Sequence, residues 1–242
     1  MSAKKNTKKS SASKVGGTKT VLLSDKAPWP VQEAYKALRT NVTFSLPGTD
    51  SKVIAVTSAT RHDGKSVNAI NFAISFGEIG KKVLIIDCDM RLPTVATKLG
   101  IKAIPGISDF LAGQVKVSDA VVALPEYHID VLPAGNIPPD PTRLLQSEQM
   151  GAMLAALKKY YDYIVIDLPP VTTVADAAIL SHYVDGYLLV VRNESTEYRA
   201  VADMLEQLRF ADAKIIGFIY NDAVIGTGKK YYRHYYYKKS EG

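Results

Sequence analysis

Short apolar runs alternate along this chain with longer segments whose apolar positions recur at helical spacing. The apolar runs are rich in Val and Ile and cover residues 52–58, 82–87, 128–133, 163–167, 186–191 and 214–221. The segments with helical spacing cover residues 65–78, 147–160 and 196–210, and a further one starts at residue 176. Continuous apolar strands that alternate with amphipathic helices are typical of a parallel sheet covered on both faces. We therefore predict an α/β fold with a doubly wound, mostly parallel sheet.

One more helix is predicted ahead of the first strand. The stretch 33–44 places Ala34, Leu38 and Val42 at helical spacing. The Pro-Gly pair at 47–48 is expected to end this helix.

Charge divides the chain into a body and two basic tails. The formal net charge is +6, yet residues 1–20 alone carry six lysines and no acid, and residues 229–242 carry +4, which leaves the body acidic by four charges. The positive charge therefore describes the tails, and a nucleic-acid-binding face on the body is not implied. We predict disordered tails at 1–20 and 226–242 around one domain at 21–225.

Cysteine usage and hydropathy suggest the compartment. Cys88 is the only cysteine, so no intrachain disulfide can form and a reducing environment fits best. No apolar run has the length of a membrane span or the position of a signal peptide. The four histidines lack the spacing of zinc ligands. We expect a cytoplasmic protein.

The first predicted strand runs into a phosphate-binding sequence. Residues 59–66 have the P-loop spacing G-x-x-x-x-G-K-[ST], with Ala59 in place of the first glycine. Gly64 lets the backbone approach a phosphate, Lys65 can reach the β- and γ-phosphates, and Ser66 can ligate Mg²⁺. A P-loop NTPase-like domain is therefore predicted. The expected nucleotide contacts are Thr60, Arg61, His62, Asp63, Gly64, Lys65, Ser66 and Val67. At His62 a positive φ is expected, which histidine tolerates better than most residues, and its side chain is predicted to be solvated and not catalytic.

Acidic residues follow two of the later strands. Asp87 and Asp89 are two residues apart at the end of the 82–87 run, so both carboxylates are expected to face the phosphate site. Capping of a following helix is the alternative role for this pair. Asp167 ends the 163–167 run and has the pattern of a Walker B aspartate, which holds Mg²⁺ directly or through water. Together these residues predict a Mg-nucleotide site at the carboxyl ends of the strands.

The segment KKYYRHYYYKK, residues 229–239, places five tyrosines within seven positions. It has three possible roles: an edge strand, a contact to single-stranded nucleic acid, or a row of phosphate acceptors. Adjacent identical residues cannot alternate between two faces, and lysines resist burial, which disfavours a strand. The acidic body and the Mg-nucleotide pattern disfavour nucleic acid. The candidate acceptors are Tyr231, Tyr232, Tyr235, Tyr236 and Tyr237. Tyr220, inside an apolar run, is predicted to lie in the core.

In order and spacing, these segments resemble the bacterial tyrosine kinases of capsular and exopolysaccharide synthesis, in the cytoplasmic Gram-positive form that works with a separate membrane modulator. The resemblance rests on the P-loop, the tyrosine-rich end, and the segments IIDCDMR (85–91), LPAGNIPPDPTRLLQS (132–147), IDLPP (166–170) and VADA (174–177). It implies a P-loop α/β fold and transfer of the ATP γ-phosphate to protein tyrosines, chiefly those of the enzyme's own C-terminal cluster.

The resemblance implies roles for the matching residues. Lys65 and Ser66 match the P-loop lysine and the magnesium-binding hydroxyl. Asp87 matches the aspartate that receives the tyrosine proton, Asp89 the direct magnesium ligand and Asp167 the Walker B aspartate. The implied cofactors are ATP and Mg²⁺.

Three further features carry less defined roles. Arg91 completes a D-x-D-x-R pattern, and Asn221 is either close to the adenine, as in related P-loop ATPases, or a turn-forming residue. The motif E-x-x-R-x-x-R, linked in the family to ring assembly, appears as Glu33, Lys36 and Arg39, and lysine at its centre lacks the bidentate fork of arginine. The alternative interpretation is that these three residues form a solvated face of the helix.

The resemblance also implies partners: a membrane-integral modulator of the polysaccharide co-polymerase type, further copies of the chain in a homo-oligomer, and a cognate tyrosine phosphatase. It places the protein at the inner face of the membrane, and no nucleic acid is expected. Arg61-His62-Asp63 stands where the family usually has Pro-Gly-Glu. The alternative function is that of a MinD/ParA-like ATPase switch without kinase activity, whose additional early P-loop lysine is absent at Ser58 and Ala59.

Overall fold

The computed structural model describes residues 22–223, and within them the chain forms one sheet with helices on both faces. Its strands are β1 (Lys52–Ser58), β2 (Val83–Asp87), β3 (Val122–Leu124), β4 (Ile129–Leu132), β5 (Tyr163–Asp167), β6 (Gly186–Arg192) and β7 (Ile215–Asn221). Its α-helices are α1 (Trp29–Ser45), α2 (Lys65–Gly77), α3 (Val95–Leu99), α4 (Ile107–Leu111), α5 (Val117–Ala120), α6 (Pro141–Leu145), α7 (Glu148–Leu157), α8 (Asp176–Ile179) and α9 (Tyr198–Phe210). Two 3-10 helices cover Pro125–Tyr127 and Leu180–Tyr183. The predicted tails 1–20 and 226–242, with the five candidate acceptor tyrosines, lie outside the described residues.

The strand order of the sheet is β3-β4-β2-β5-β1-β6-β7. All neighbouring strands run parallel except β3, which is antiparallel to β4 at one edge. The predicted doubly wound, mostly parallel sheet is therefore confirmed. Because β5 lies between β2 and β1, the ends of these three strands are neighbours, and Asp87 pairs with Asp167 in the ladder.

Both faces of the sheet are buried, which explains why its strands consist of consecutive apolar residues in the sequence. Along β1, Val53 and Ala55 join a core that includes α7 and α9, whereas Ile54 and Val56 join a core that includes α1 and α2. Helix α2 is buried along almost its whole length, between the sheet and α1. Its first residue, Lys65, is therefore held rigidly at the end of β1.

The predicted helix before the first strand is confirmed and begins earlier, at Trp29, after Pro28. It turns Tyr35 towards α2, where the phenol donates a hydrogen bond of 2.9 Å to Oδ1 of Asn68. Within the described residues, no helix combines the length and the apolar character needed to cross a lipid bilayer.

Several sequence-based expectations need correction. The helix expected from residue 176 is only the short α8, followed by a 3-10 turn, because β6 begins at Gly186. The segment between β2 and β5 contains short helices and the edge strand β3 that the periodicity did not predict, since each is too short to show a period. Tyr220 is not in the core: β7 is an edge strand, and this side chain is 60% exposed and donates a hydrogen bond to Oδ1 of Asn193.

Candidate functional site

The P-loop connects the end of β1 to the start of α2, and two of its residues have positive φ. Gly64 has φ of 95° and lies against the side chain of Asn221, so that a Cβ at this position would be only 2.2 Å from Nδ2 of Asn221. A residue with a side chain is therefore strained here on two grounds. His62 has φ of 69° and an exposed side chain, which confirms the predicted backbone conformation.

The carboxylate of Asp63 organises the P-loop from inside. This buried side chain accepts hydrogen bonds from the backbone nitrogen of Thr60 at 2.9 Å and from Oγ1 of Thr196 at 2.8 Å. Aspartate thus provides a defined loop conformation at one of the positions where this chain departs from the Pro-Gly-Glu of the family. Thr196 belongs to the loop after β6, so the loop is held by a neighbouring part of the sheet edge.

Two more side chains hold the P-loop through its carbonyl groups. Nη1 of Arg192 donates to the carbonyl of His62 at 3.1 Å, while its Nη2 forms an ion pair of 2.7 Å with Asp222. Nδ2 of Asn221 donates to the carbonyl of Asp63 at 2.8 Å. Asn221 therefore contacts the P-loop, and its proximity to the adenine stays a prediction. Arg192 was missed by sequence reasoning, although its place directly after an apolar run is a usable signal.

Lys65 lies among the strand-end carboxylates. Its Nζ is 2.8 Å from Oδ2 of Asp89, 3.6 Å from Oδ1 of Asp167 and 3.4 Å from Oγ of Ser66. Burial alone would lower the pKa of Lys65, but the carboxylates of Asp167 and Asp89 raise it above its ordinary value. The ammonium is consequently charged at neutral pH. It lines the cavity beside the P-loop, where the phosphates of a nucleotide would bind.

The carboxylate of Asp167 is fully buried, and within residues 22–223 neither of its oxygens accepts a hydrogen bond of ordinary length, although Ser66 and Lys65 lie close enough to lower its pKa. Burial raises its pKa, and the nearby Lys65 opposes this shift. A buried carboxylate without donors is costly unless a cation compensates it. No group of three or more Asp, Glu, His or Cys side chains in the described part of the chain is arranged to hold a metal. Mg²⁺, however, is usually held by one or two carboxylates together with phosphates and water, and Ser66, Asp89 and Asp167 offer suitable oxygens.

Asp87 and Asp89 point in different directions. Asp89 lines the cavity that contains the P-loop, whereas Asp87 is fully buried and its Oδ2 accepts hydrogen bonds from the backbone nitrogens of Thr94 and Val95 at 3.2 and 3.1 Å. The alternative role of a helix cap is therefore present at Asp87, and the expectation that both carboxylates face the phosphate site holds only for Asp89. Burial, followed by the charge of Asp167, raises the pKa of Asp87 to about 8.

The cavity beside the P-loop has a volume of about 340 Å³ and is rich in basic side chains. Its basic lining residues are Arg61, Lys65, Arg91, Lys98 and Arg192. Pro169 and Pro170, which follow β5, line the same cavity. This charge suits a polyanion such as a nucleoside triphosphate.

Arg91 is held at the rim of this cavity by two residues from distant segments. Its Nη1 donates to Oδ2 of the fully buried Asp176, and its Nη2 donates to Oγ1 of Thr142 at 2.8 Å. Thr142 in turn lies 3.3 Å from Oδ1 of Asp176. These contacts join the segments IIDCDMR, LPAGNIPPDPTRLLQS and VADA in space. Thr142 and Asp176 were not singled out from the sequence.

The three residues of the predicted oligomer motif lie along α1. Lys36 and Glu33 form an exposed ion pair of 2.8 Å, one turn apart. Arg39 instead donates to the backbone carbonyl of Ser75 at the end of α2. Within one chain, the first two are accessible to a partner, and Arg39 is engaged in joining α1 to α2.

Comparison with known proteins agrees with this geometry. A family model described as an AAA domain matches residues 51–216, which include the P-loop and all three strand-end aspartates. The tyrosine-protein kinase YwqD of Bacillus subtilis is 38% identical over 202 residues, which cover 84% of this chain and 83% of YwqD.

Two solved structures, a kinase domain and an ATPase, differ in how similar they are to this chain. The kinase domain of the Escherichia coli tyrosine kinase ETK matches with a TM-score of 0.76 and 30% identity, over 78% of this chain and 74% of that chain. MinD from Pyrococcus horikoshii, complexed with Mg-ADP, matches with a TM-score of 0.60 and 25% identity, over 70% of each chain. Since a curated kinase is aligned over most of both chains and a kinase domain is structurally more similar than MinD, the chain belongs to the bacterial tyrosine-protein kinases of the capsular and exopolysaccharide type.

Proposed function

We propose that this kinase transfers the γ-phosphate of Mg-ATP to tyrosines of its own C-terminal cluster and thereby regulates capsular or exopolysaccharide synthesis or export. The observation that carries the proposal is the position of Lys65 at the start of α2, with Asp89 and Asp167 within 2.8 and 3.6 Å of its ammonium. A P-loop lysine and strand-end carboxylates are the parts that phosphoryl transfer requires.

The nucleotide is assigned to the P-loop. Residues 60–67 would surround its phosphates with backbone amides at the N-terminus of α2. Asn221 supports this loop through the carbonyl of Asp63 and would lie near the base. Oxygens of Ser66, Asp89 and Asp167 would hold Mg²⁺, which supplies charge neutralisation on the phosphates when bound.

Asp87 is assigned the role of the base that accepts the phenolic proton of the acceptor tyrosine. The phenol has a pKa near 10, and the raised pKa of Asp87, about 8, makes its ionised form a stronger base than an ordinary carboxylate. In a loose transition state, a carboxylate that orients the hydroxyl group is sufficient, because bond formation to the nucleophile is slight. In the described structure the carboxylate of Asp87 is buried against the backbone amides of residues 94 and 95 and does not line the cavity, so this role requires it to become accessible when the substrates bind.

The C-terminal segment supplies the acceptors. Tyr231, Tyr232, Tyr235, Tyr236 and Tyr237 lie in a segment of charge +4, whereas the body carries −4. Electrostatic attraction between the basic segment and the acidic body favours their encounter, in the same or a neighbouring copy. Each phosphate adds about −1.5 to −2 charges, so two or three phosphates would cancel the attraction and make the reaction self-limiting.

The proposed setting is the inner face of the membrane. A membrane-integral modulator of the co-polymerase type would recruit and activate the protein there, and a cognate phosphatase would reverse the modification. Copies of the chain would assemble through Glu33, Lys36 and Arg39. Of these, Glu33 and Lys36 are exposed at 40% and 48% of their side-chain areas.

An ATPase switch without kinase activity is the second candidate, because the fold also resembles MinD. Against it, Ser58 and Ala59 stand where such switches carry an additional lysine. The test is incubation of the purified protein with Mg-ATP, with and without residues 229–242, followed by phosphotyrosine detection. We expect the signal to depend on these residues. ATP hydrolysis without phosphotyrosine, in the presence of the modulator, would favour the switch.

A further inference from the structure

The tetrapeptide Lys-Lys-Tyr-Tyr occurs twice in this chain, at residues 158–161 and at residues 229–232. The second copy begins the proposed acceptor segment, whereas the first lies in the turn between α7 and β5. We propose that Tyr160, in the first copy, is an additional phosphate acceptor and that it is modified by a second copy of the chain. This inference rests on the proposed kinase function and extends it to a site in the folded body.

Exposure and sequence context single out Tyr160. Among the tyrosines of residues 22–223, the exposed side chains are those of Tyr160 at 69%, Tyr198 at 89% and Tyr220 at 60%. The phenol of Tyr220 donates to Asn193, and Tyr198 follows Glu197 instead of a basic residue. Of these three exposed tyrosines, Tyr160 is the one that follows two lysines, as in the C-terminal segment.

The neighbouring tyrosines are engaged within the body. The hydroxyl group of Tyr161 donates a hydrogen bond of 2.7 Å to Oδ2 of Asp130. The ring of Tyr163 stacks on Phe76 with a centroid distance of 3.8 Å. Neither phenol is presented for transfer, so the structure distinguishes Tyr160 from the tyrosine next to it.

The position of Tyr160 requires transfer between two copies. Tyr160 lies just before the first residue of β5, whereas Asp167 ends this strand at the candidate active site. The five residues of this strand span roughly 15 Å, and Tyr160 lies in the turn before it, so the whole length of the strand separates Tyr160 from the candidate active site. A single copy therefore cannot bring its own Tyr160 to its P-loop.

Basic side chains outnumber acidic ones in the cavity that Tyr160 lines. This cavity of about 440 Å³ is also lined by Lys81, Lys82 and His128, and by Asp130, which accepts a hydrogen bond from Tyr161. The backbone of Lys82 is fixed to this turn, since its nitrogen donates to Oδ2 of Asp162 and its carbonyl accepts from the nitrogen of Asp162, both at 2.8 Å. A phosphate on Tyr160 would thus be formed at a cavity whose charged lining is mainly basic, which favours it electrostatically.

The chemical step is the same as for the C-terminal tyrosines. A bond forms between the phenolic oxygen of Tyr160 and the γ-phosphorus of ATP on the active copy. The bond from this phosphorus to the β,γ-bridging oxygen breaks, and ADP leaves with the electron pair. The phenolic proton passes to the carboxylate proposed for this role, Asp87 of the active copy.

The test mixes two full-length forms of different mass with Mg-ATP and the activating modulator. The enzyme form carries Tyr160→Phe and keeps its C-terminal tyrosines. The acceptor form carries Lys65→Met, and phenylalanine replaces all five C-terminal tyrosines. We expect phosphate on Tyr160 of the acceptor form, mapped by mass spectrometry, at a rate that rises with the concentration of the enzyme form. Addition of Tyr160→Phe to the acceptor form should abolish this incorporation, whereas Tyr198→Phe, the matched control, should leave it unchanged.

Two outcomes would overturn the inference. If the C-terminal tyrosines of the enzyme form become phosphorylated and Tyr160 of the acceptor form does not, the proposed function stands and the additional site is wrong. If neither is phosphorylated, the proposed function fails and the inference fails with it. A thermal unfolding curve of the acceptor form that coincides with that of the wild type excludes misfolding as the cause.

Discussion

Nζ of Lys65 lies 2.8 Å from Oδ2 of Asp89, so that the first residue of α2 is bound to the segment that follows β2. With only 12% of its side chain exposed, Lys65 is directed into the basic cavity instead of into solvent. The ion pair thus fixes the direction of the P-loop ammonium, and its carboxylate partner is one of the candidate magnesium ligands.

Replacement of Lys65 by methionine should therefore abolish both nucleotide binding and phosphorylation. Loss of one charged donor to a transition state typically lowers the rate roughly 100-fold or more. A fluorescent ATP analogue and phosphotyrosine detection measure the two effects. The matched control is Lys158→Met, since Lys158 forms an ion pair of 3.2 Å with Asp185 away from the P-loop cavity. Equal losses in both variants would contradict the assignment.

Asp167→Asn should stabilise the protein in the absence of Mg²⁺ and ATP while it abolishes kinase activity. The wild-type side chain is a buried carboxylate whose pKa is raised by burial more than it is lowered by the Lys65 ammonium 3.6 Å away. A neutral amide therefore removes a net cost of the buried charge. Burial raises the pKa of Asp167, so the folded state binds a proton more tightly than the unfolded state. The advantage of the variant should be small below the ordinary Asp pKa of about 3.9 and should grow as the pH rises above it. Thermal unfolding across pH measures this, and an unfolding temperature that falls at neutral pH would contradict it.

Gly64→Ala should destabilise the protein and weaken nucleotide binding more than Gly80→Ala does. Both glycines have positive φ, of 95° and 77°, and a left-handed conformation alone costs alanine about 1–2 kcal/mol. A Cβ at Gly64 would also meet Asn221 at 2.2 Å, whereas one at Gly80 would meet nothing within 4 Å. The difference in unfolding free energy between the variants therefore measures the contact with Asn221. Equal costs would show that Asn221 moves aside freely.

Arg192→Ala should raise KM for ATP severalfold with a smaller change in kcat, because Arg192 positions the P-loop through the carbonyl of His62. Its guanidinium contacts the carbonyl of His62 and the carboxylate of Asp222 at the same time. A lysine cannot reproduce this fork, so Arg192→Lys should restore only part of the affinity. Asp222→Asn, which leaves the contact to His62 intact, should have a smaller effect. An unchanged KM in Arg192→Ala would contradict this role.

The sequence predicted those features whose causes are local. The P-loop, the strand-end aspartates and the runs at 52–58 and 163–167 depend on nearby residues, and the bounds of both strands agree with the structure. Positive φ at His62 likewise follows from the loop itself. Such features can be found without any knowledge of tertiary contacts.

Features that depend on distant contacts could not be found in this way. Thr196 is 133 residues from its partner Asp63, and Asp176 is 85 residues from Arg91. The exposure of Tyr220 depends on whether β7 lies inside the sheet or at its edge. An apolar run in the sequence does not reveal which position its strand takes. The cap formed by Asp87 required α3, which is too short to be recognised from periodicity.

The most direct test of the central claim compares the wild type with Asp87→Asn, each incubated with Mg-ATP and the activating modulator. Phosphotyrosine is mapped by mass spectrometry, and ATP binding is measured on the same samples. The account predicts that the wild type gains phosphate within residues 231–237, and that Asp87→Asn binds ATP with similar affinity but gains almost none. Full phosphorylation of Asp87→Asn, or ATP hydrolysis by the wild type without any phosphotyrosine, would contradict it.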